Sequence, residues 1–224
     1  MPRFAVSSRF LAPLGLLVVF AHVTPLSALQ LGGRPAEEWA ITLESGRRLG
    51  SLEIDEVVSR MGLQEGDVVA DVGAGTGVFA VSLARAAGAT GIVLAVEVDP
   101  GFLSMIEQKA VDGGAENVQT VLGEFGDPKL PRRDIDVAFF HDVIHHIEGR
   151  QDYLQATAGY MAPGGRVVVV DYRGGRPGAP HGDQPELQIT LPQLREWMRV
   201  AGFELTQEFD LFDEKFFVVF TKRE

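Results

Sequence analysis

The pattern of apolar and polar positions along the chain predicts alternating strands and helices. The first predicted strand, at 68–72, is short and mostly apolar, which is typical of a strand buried on both faces of a sheet. In all, seven strands are predicted, at residues 68–72, 92–98, 118–122, 135–140, 166–171, 204–210 and 215–221. Amphipathic segments between and after them predict helices at 77–87, 100–112, 153–161 and 191–201.

Repeated strand–helix units with right-handed crossovers form a parallel sheet covered by helices. The last two strands are separated by only a short turn and must be antiparallel to each other. We therefore predict an α/β fold with a seven-stranded, mostly parallel, doubly wound sheet, a C-terminal antiparallel hairpin and helices on both faces.

The segment before the first strand, residues 36–62, is also predicted to be helical. A first, weakly amphipathic stretch ends near Gly46, and a second opens at Ser51 and stops at Gly62. We predict three parts for the chain: a hydrophobic leader at 1–30, an N-terminal helical extension at 31–62 and a main domain at 63–224.

The leader has a basic start and an apolar centre. Arg3 and Arg9 precede the apolar run Leu11 to Val23. The length of this run, about 13 residues, suits a signal peptide better than a bilayer span of roughly 20 residues. The expected cleavage site lies after Ala28. Leu26, two residues earlier, is larger than the small residue that such sites prefer. An uncleaved membrane anchor, an organellar presequence and a misassigned start stay open. The leader indicates an exported (periplasmic or secreted) or membrane-anchored chain, with a cytoplasmic location not excluded.

Composition narrows the range of partners. The 224 residues carry a formal net charge of −11, and the few basic pairs form no stripe that could meet nucleic-acid phosphates. The sequence has no cysteine, which excludes disulfides, thiolate zinc sites and the thiol chemistry of arsenite-type methyl transfer. A small-molecule substrate and no nucleic acid are expected, and the oligomeric state is left open.

A glycine-rich loop, Asp71-Val-Gly-Ala-Gly-Thr-Gly77, follows the first strand. Glycines let the backbone turn sharply and approach a ligand, and the next helix presents free N–H groups. A nicotinamide dinucleotide fingerprint reads Gly-x-Gly-x-x-Gly, whereas here the third glycine comes one residue early and Val78 stands in its place. The spacing therefore disfavours that class of cofactor.

Carboxylates stand at the ends of the next two strands. Glu97 follows Gly77 by 20 residues, where a carboxylate can accept hydrogen bonds from both hydroxyls of a ribose. At the third strand, Glu124 is interpreted as the acceptor of an adenine amino group and Phe125 as its stacking partner. A solvated acid and a core phenylalanine are the alternatives. Asp99 is predicted to cap the helix that begins at Pro100.

Titratable side chains cluster after the fourth strand. In such sheets the ligand lies outside the carboxyl ends of the strands, so His141 and Asp142 are the predicted catalytic pair, as a base or as groups that orient the acceptor. His145 and His146 are interpreted as packing residues. Three histidines and an aspartate also suggest a metal cluster, but neighbouring histidines would point to different sides of a helix, and we predict no metal.

The loop at 173–183 is rich in glycine and proline and carries Arg173 and His181, with Tyr172 just before it. Its place after the fifth strand predicts a mobile lid that covers the substrate. A plain connection between two elements is the alternative.

These motifs, in this order, resemble the class I (Rossmann-like) S-adenosylmethionine-dependent methyltransferases. The resemblance covers about residues 50–222 and includes Ala162-Pro-Gly-Gly165 before the fifth strand and the Asp142-Val-Ile-His-His-Ile147 segment. It implies S-adenosylmethionine as cofactor and a methyltransferase activity, without indicating the acceptor. The implied cofactor-binding residues are Asp71, Gly73, Ala74, Gly75, Gly77, Glu97, Val98, Glu124, Phe125 and His141.

Two other functions are compatible with parts of the sequence. A non-catalytic module that binds S-adenosylmethionine or S-adenosylhomocysteine would suit an exported chain, because cells make this cofactor in the cytoplasm. A nicotinamide oxidoreductase is disfavoured by the glycine spacing and by the closing hairpin.

Overall fold

The computed structural model describes residues 34–176 and 181–223. Three helices come first: α1 (Ala36–Leu43), α2 (Gly46–Gly50) and α3 (Ile54–Met61). The alternating part that follows consists of β1 (Val68–Val72), α4 (Ala80–Ala87), β2 (Ile92–Glu97), α5 (Pro100–Asp112), β3 (Val118–Leu122), β4 (Ile135–His141), α6 (Arg150–Ala158), β5 (Met161–Tyr172), α7 (Leu191–Val200), β6 (Phe203–Phe209) and β7 (Lys215–Lys222). Single 3₁₀ turns lie at Ile144–His146 and Pro185–Leu187.

The seven strands form one sheet in the order β3-β2-β1-β4-β5-β7-β6. The first five strands run parallel, while β7 pairs antiparallel with both β5 and β6. The predicted fold class is therefore confirmed, including the antiparallel C-terminal hairpin. The strand order reverses between β1 and β4, because the chain leaves β1 toward β2 and leaves β4 toward β5, and such reversals are where doubly wound sheets bind ligands.

Both faces of the sheet are covered, as the apolar strands require. Alternate residues of β1 point to opposite faces: Val68, Ala70 and Val72 belong to one apolar cluster and Val69 to the other. The first cluster includes side chains of α6 and α7, and the second includes side chains of α3 and α4. A five-residue strand that is buried throughout can therefore only run through the middle of the sheet.

The N-terminal helices differ from the prediction in detail. A stop was expected near Gly46, but that glycine begins α2, and α3 starts at Ile54 after Glu53 adopts a left-handed backbone (φ 48°). Leu52, Val57 and Met61 are buried against the sheet, so α3 is part of the fold's core. Among the described residues, no helix combines the length and apolar character needed to cross a membrane. The predicted leader at 1–30 lies outside the described residues.

Several boundaries were also misplaced around the glycine motifs. The helix expected from Gly77 begins at Ala80, because residues 75–79 form turns that continue the glycine-rich loop. The strand expected from Arg166 extends back to Met161 and includes the Ala162–Gly165 motif. The helix predicted at 153–161 lies instead at Arg150–Ala158, where Gly149 with φ 60° precedes its first turn. Sequence patterns locate elements well but locate their ends poorly.

Candidate active site at the carboxyl edge of the sheet

The glycine loop after β1 and the turn after β4 meet at the point where strand order reverses. Gly73, Gly75 and Gly77 all have positive φ, between 57° and 78°, which only glycine adopts without strain. A Cβ atom on Gly73 would collide with Cγ2 of Val143, so the two connections lie in direct contact. Glycine at position 73 is thus needed for its backbone angle and for this close approach.

The carboxylate of Glu97 is held at the end of β2 by backbone donors. Its Oε1 accepts a hydrogen bond from Gly75 N at 2.7 Å, and its Oε2 accepts one from Val98 N at 2.9 Å. Burial raises the pKa of Glu97, and the N–H groups of Gly75, Val98 and Asp99 oppose that rise. The side chain therefore spans from β2 to the glycine loop, and each oxygen keeps a lone pair for a further donor.

Asp71 ends β1 beside this carboxylate and is almost completely buried. Burial and the negative charge of Glu97 raise the pKa of Asp71 to about 7. Its Oδ2 has no hydrogen-bond partner among the described residues. A buried acceptor without a donor is costly, and a ligand donor at this edge would remove the cost.

Asp142 follows β4 in a left-handed backbone conformation (φ 55°), which aspartate tolerates better than most residues. Its Oδ2 accepts a hydrogen bond from Lys215 Nζ at 2.8 Å and lies 3.5 Å from Arg48 Nη2. Burial opposes ionisation, but His141, Lys215 and Arg48 outweigh it and hold the pKa of Asp142 below its usual value. Asp142 is thus a fixed carboxylate whose Oδ1 has no partner among the described residues.

His141 is the last residue of β4, and its ring packs against Phe79 with ring centroids 4.8 Å apart. Burial, and then the positive charges of Lys215 and Arg48, lower the pKa of His141 to about 3 despite the neighbouring Asp142. Its Nε2 has no partner among the described residues. The imidazole is therefore neutral near pH 7 and is a poor proton acceptor there.

The predicted adenine contacts lie on the third connection. Gly123 N donates to the carbonyl oxygen of Glu97 at 2.9 Å, which brings this connection next to the β2 carboxylate. Glu124 is exposed and forms an ion pair with Lys129 (3.3 Å), while Phe125 is half-buried. The adenine roles of Glu124 and Phe125 stay predictions.

Asp99 has the role that its position predicted. Its Oδ1 accepts a hydrogen bond from Gly101 N at 2.8 Å, and Pro100 is the first residue of α5. The cap fixes the start of α5 immediately after the β2 carboxylate.

A second cluster, formed by His145, His146 and His181, lies beyond Asp142 at the ends of β4 and β5. The expectation that His145 and His146 diverge on a helix is wrong: Ile144–His146 is one 3₁₀ turn, and their ring centroids are 4.0 Å apart. His181 lies 5.2 Å from His145 and 5.7 Å from His146 by the same measure. Each of the three histidines offers one ring nitrogen, and these three nitrogens lie within 4.8 Å of one another.

Asp171, at the end of β5, organises this cluster. Its Oδ1 lies 2.6 Å from Nδ1 of His145, its Oδ2 accepts a hydrogen bond from His145 N at 3.2 Å, and Tyr172 N donates to Oδ1 at 2.8 Å. His145 is therefore more than a packing residue, since a buried carboxylate orients its ring.

The N-terminal helices reach this edge of the sheet as well. Leu43 of α1 is the nearest neighbour that a side chain on Gly75 would meet, at 3.5 Å from its ideal Cβ position. Glu44 forms an ion pair with Lys109 of α5, and Arg48 of α2 approaches Asp142. The helical extension thus covers the glycine loop and contributes a charge to the site.

The sequence predicted one part of the site and missed another. The structure places Asp71 beside Glu97 and His141 beside Asp142, and all four residues stood at predicted strand ends. It adds Arg48, Asp171 and Lys215, which sequence reasoning did not select. Lys215 carried a usable signal, because it is a charged residue directly before the apolar, buried run 216–220 of the same strand.

Comparisons with known proteins agree on one family. Residues 70–169 match the family model described as a methyltransferase domain. Over 153 residues the chain is 29% identical to an arsenite methyltransferase of Halobacterium salinarum, a match that covers 63% of this chain and 38% of that protein. It is 26% identical over 116 residues to a demethylmenaquinone methyltransferase of Oceanobacillus iheyensis, covering 52% of this chain and 49% of that one. The matches thus span about half, or less, of these curated relatives.

A solved structure shows the same fold. The crystal structure of an S-adenosylmethionine-dependent methyltransferase from Aquifex aeolicus superimposes with a TM-score of 0.73 and 22% sequence identity. The superposition covers 82% of this chain and 97% of that one.

Proposed function

We propose that this chain transfers a methyl group to a small-molecule acceptor at the carboxyl edge of the sheet. The methyl group comes from S-adenosylmethionine, because the chain carries a class I S-adenosylmethionine-dependent methyltransferase domain. The observation that carries the proposal is the group of buried acceptors around the glycine loop. Asp71 Oδ2, Asp142 Oδ1 and His141 Nε2 have no partners among the described residues, and Glu97 has lone pairs to spare.

This arrangement fits the cofactor. S-adenosylmethionine brings ribose hydroxyls, an adenine amino group and an ammonium group as donors, together with a positive sulfonium, and the site offers anionic acceptors. Glu97 would accept from the ribose, and Asp71 and Asp142 would lie near the positively charged end. The residues that would hold the cofactor are Asp71, Gly73, Ala74, Gly75, Gly77, Glu97, Val98, Glu124, Phe125 and His141.

The bound cofactor supplies an electrophilic methyl group, so the protein's task is mainly to align an acceptor and to exclude water. Asp142 suits the orienting part of its predicted role, because Lys215 and Arg48 fix its carboxylate while Oδ1 stays free to accept a hydrogen bond. Its lowered pKa makes it a weak base. We therefore assign to Asp142 and His141 the positioning of bound groups, and proton removal is needed only where an acceptor arrives protonated.

A small acceptor is supported by charge and composition. The net charge of −11 disfavours nucleic acid as the acceptor. The relatives named above act on arsenite and on demethylmenaquinone, which are both small molecules. The chain has no cysteine to bind arsenic, so arsenite is the less suitable of the two classes.

The N-terminal leader bears on where this chemistry takes place. We propose that residues 1–30 direct the chain for export or hold it at a membrane; the support is the basic start and the short apolar run in the sequence. N-terminal sequencing of the protein from its own cells distinguishes the two routes. A new N-terminus near residue 29 supports cleavage, and an intact Met1 supports anchoring or cytoplasmic retention.

Ligand-dependent thermal stability tests the choice of cofactor. A ligand that binds only the folded state raises the melting temperature, by an amount set by its concentration relative to Kd. We expect S-adenosylmethionine and S-adenosylhomocysteine to raise the melting temperature and NAD to leave it unchanged. Stabilisation by NAD alone would contradict the proposal.

A further inference from the structure

Outside the proposed cofactor site, three imidazoles converge where β4 and β5 end. We propose that His145, His146 and His181 bind a divalent transition-metal ion of the zinc class. Their ligand atoms already lie within 4.8 Å of one another, although His181 is separated from the other two by more than 30 residues. Neutral imidazole nitrogens are the ligands that Zn²⁺ and its neighbours in the series prefer when no thiolate is available.

The orientation of His145 supports this assignment. Asp171 is a buried carboxylate, so it accepts the hydrogen bond from His145 Nδ1, and the lone pair is then on Nε2. A carboxylate that fixes the tautomer of a histidine in this way is the usual outer partner of a metal-binding histidine. The backbone N–H groups of His145 and Tyr172 hold the same carboxylate in place.

His181 has a similar partner on its own turn. Its Nδ1 lies 2.9 Å from Oε1 of Gln184, and an amide oxygen can only accept. The N–H is therefore assigned to Nδ1, which leaves Nε2 of His181 with a free lone pair. Two of the three rings thus keep Nε2 available for an ion, and each is oriented by an oxygen behind it.

Arg150 joins the two segments that carry the histidines. Its Nε donates to Ile144 O at 3.0 Å, and its Nη2 donates to the carbonyl oxygens of His145 and Glu186, each at 2.6 Å. One guanidinium therefore fixes the 144–146 turn against the 185–187 turn, which follows His181 closely. The charged groups that face the cluster are Asp171, Asp142 and Arg150, so two carboxylates offset the one cation.

The spacing suits a site that closes slightly around an ion. Tetrahedral zinc with bonds of about 2.0–2.1 Å requires nitrogens roughly 3.3 Å apart, so the widest pair must approach by about 1.5 Å. His181 is only half-buried and can make that adjustment, whereas His145 is fixed. Three nitrogen ligands leave a fourth position open, as in catalytic zinc sites. An oxygen of the acceptor would fit there; this last role rests on the proposed function, while metal binding does not.

Calorimetric titration of the untagged full-length chain with Zn²⁺, after removal of metals by chelator, tests the site. We expect one ion per chain, and we expect Co²⁺ to give the visible absorption of a tetrahedral nitrogen site. His181→Ala should weaken binding by at least 100-fold, and Asp171→Asn by about 10- to 100-fold. His22→Ala, which keeps all three histidines of the cluster, should bind as the unchanged protein does.

The half-buried His181 is the decisive position, because its replacement should leave the fold intact. Circular dichroism and S-adenosylhomocysteine binding of His181→Ala establish that the rest of the molecule is folded. Absence of Zn²⁺ binding by the unchanged chain, or equal binding by folded His181→Ala, would overturn the proposal. The titration contains no cofactor or acceptor, so its failure would leave the proposed methyl transfer untouched.

Discussion

The carboxylate of Glu97 accepts a hydrogen bond from the backbone N–H of Gly75 at 2.7 Å, across the gap between the second strand and the loop of the first. One side chain therefore fixes the shape of the glycine loop and also presents the acceptor that a ribose needs. In the proposed function, the cofactor is bound by the same two oxygens that hold the local fold.

Glu97→Gln replaces one of those two oxygens with an NH₂ group and keeps the length of the side chain. The amide NH₂ group would face a backbone N–H, leaving one donor without a partner and removing the charge. We expect the affinity for S-adenosylhomocysteine to fall about 10- to 100-fold and the free energy of unfolding to fall by about 1–3 kcal/mol. Calorimetry and urea denaturation measure the two effects. Glu116→Gln, at an exposed position, is the control and should change neither.

Asp71 predicts a pH dependence of stability. Because its pKa is raised to about 7 in the folded protein, the folded state keeps a proton that the unfolded chain releases above its ordinary value of 3.8. Stability from this group is complete below the unfolded pKa and is lost as the pH rises through about 7. Asp71→Asn should therefore gain stability relative to the unchanged protein between pH 4 and pH 8, by on the order of 3 kcal/mol. Urea denaturation of both proteins across this range measures it, and parallel pH profiles would contradict the assignment.

Two glycine replacements test the contact between the first and fourth connections. Gly73→Ala places a methyl group against Val143 at a residue with φ +73°, so it combines a collision with backbone strain. We expect a loss of at least about 2 kcal/mol in the free energy of unfolding. Gly114→Ala is the matched control, since that residue also has a positive φ (+64°) but a Cβ there meets nothing within 4 Å, and its backbone strain alone should cost only about 1 kcal/mol. Equal effects would show that the close approach is absent.

The buried pair Asp142–Lys215 calls for a double-mutant cycle. Asp142→Asn alone leaves a buried lysine without its counter-charge and should lower the free energy of unfolding by about 3 kcal/mol. Adding Lys215→Met should restore much of that stability. If Asp142 orients bound groups, turnover should stay about 100-fold low in the double variant, because stability returns but the charged carboxylate that positions those groups does not. Normal turnover in the stabilised double variant would assign Asp142 to structure alone.

Much of the fold could be predicted because its signals are local. An apolar run such as Val68–Val72 is buried on both faces, and the short link between the last two strands leaves only an antiparallel pairing. The strand ends then place Asp71, Glu97 and Asp142 on one edge without any knowledge of side-chain contacts. That chain of inference needs only periodicity and topology.

The remaining parts of the site depend on contacts between distant segments. Arg48 and Lys215 meet Asp142 from opposite ends of the described chain, and nothing in the local pattern around either residue predicts a shared partner.

The histidine cluster was missed for a different reason. An ideal helix would separate His145 from His146, whereas the 3₁₀ turn brings their rings together and a loop supplies His181. Turn geometry of that kind is set by tertiary packing.

The central claim is methyl transfer to a small molecule, and methyl-labelled S-adenosylmethionine tests it most directly. The protein is incubated with the labelled cofactor and an extract of the cells that make it, and the products are separated by size. We predict label in the low-molecular-mass fraction, with transfer reduced at least tenfold for Glu97→Gln and unchanged for Glu116→Gln. Cofactor that binds without any transfer of label, or label found only in protein or nucleic acid, would contradict the account.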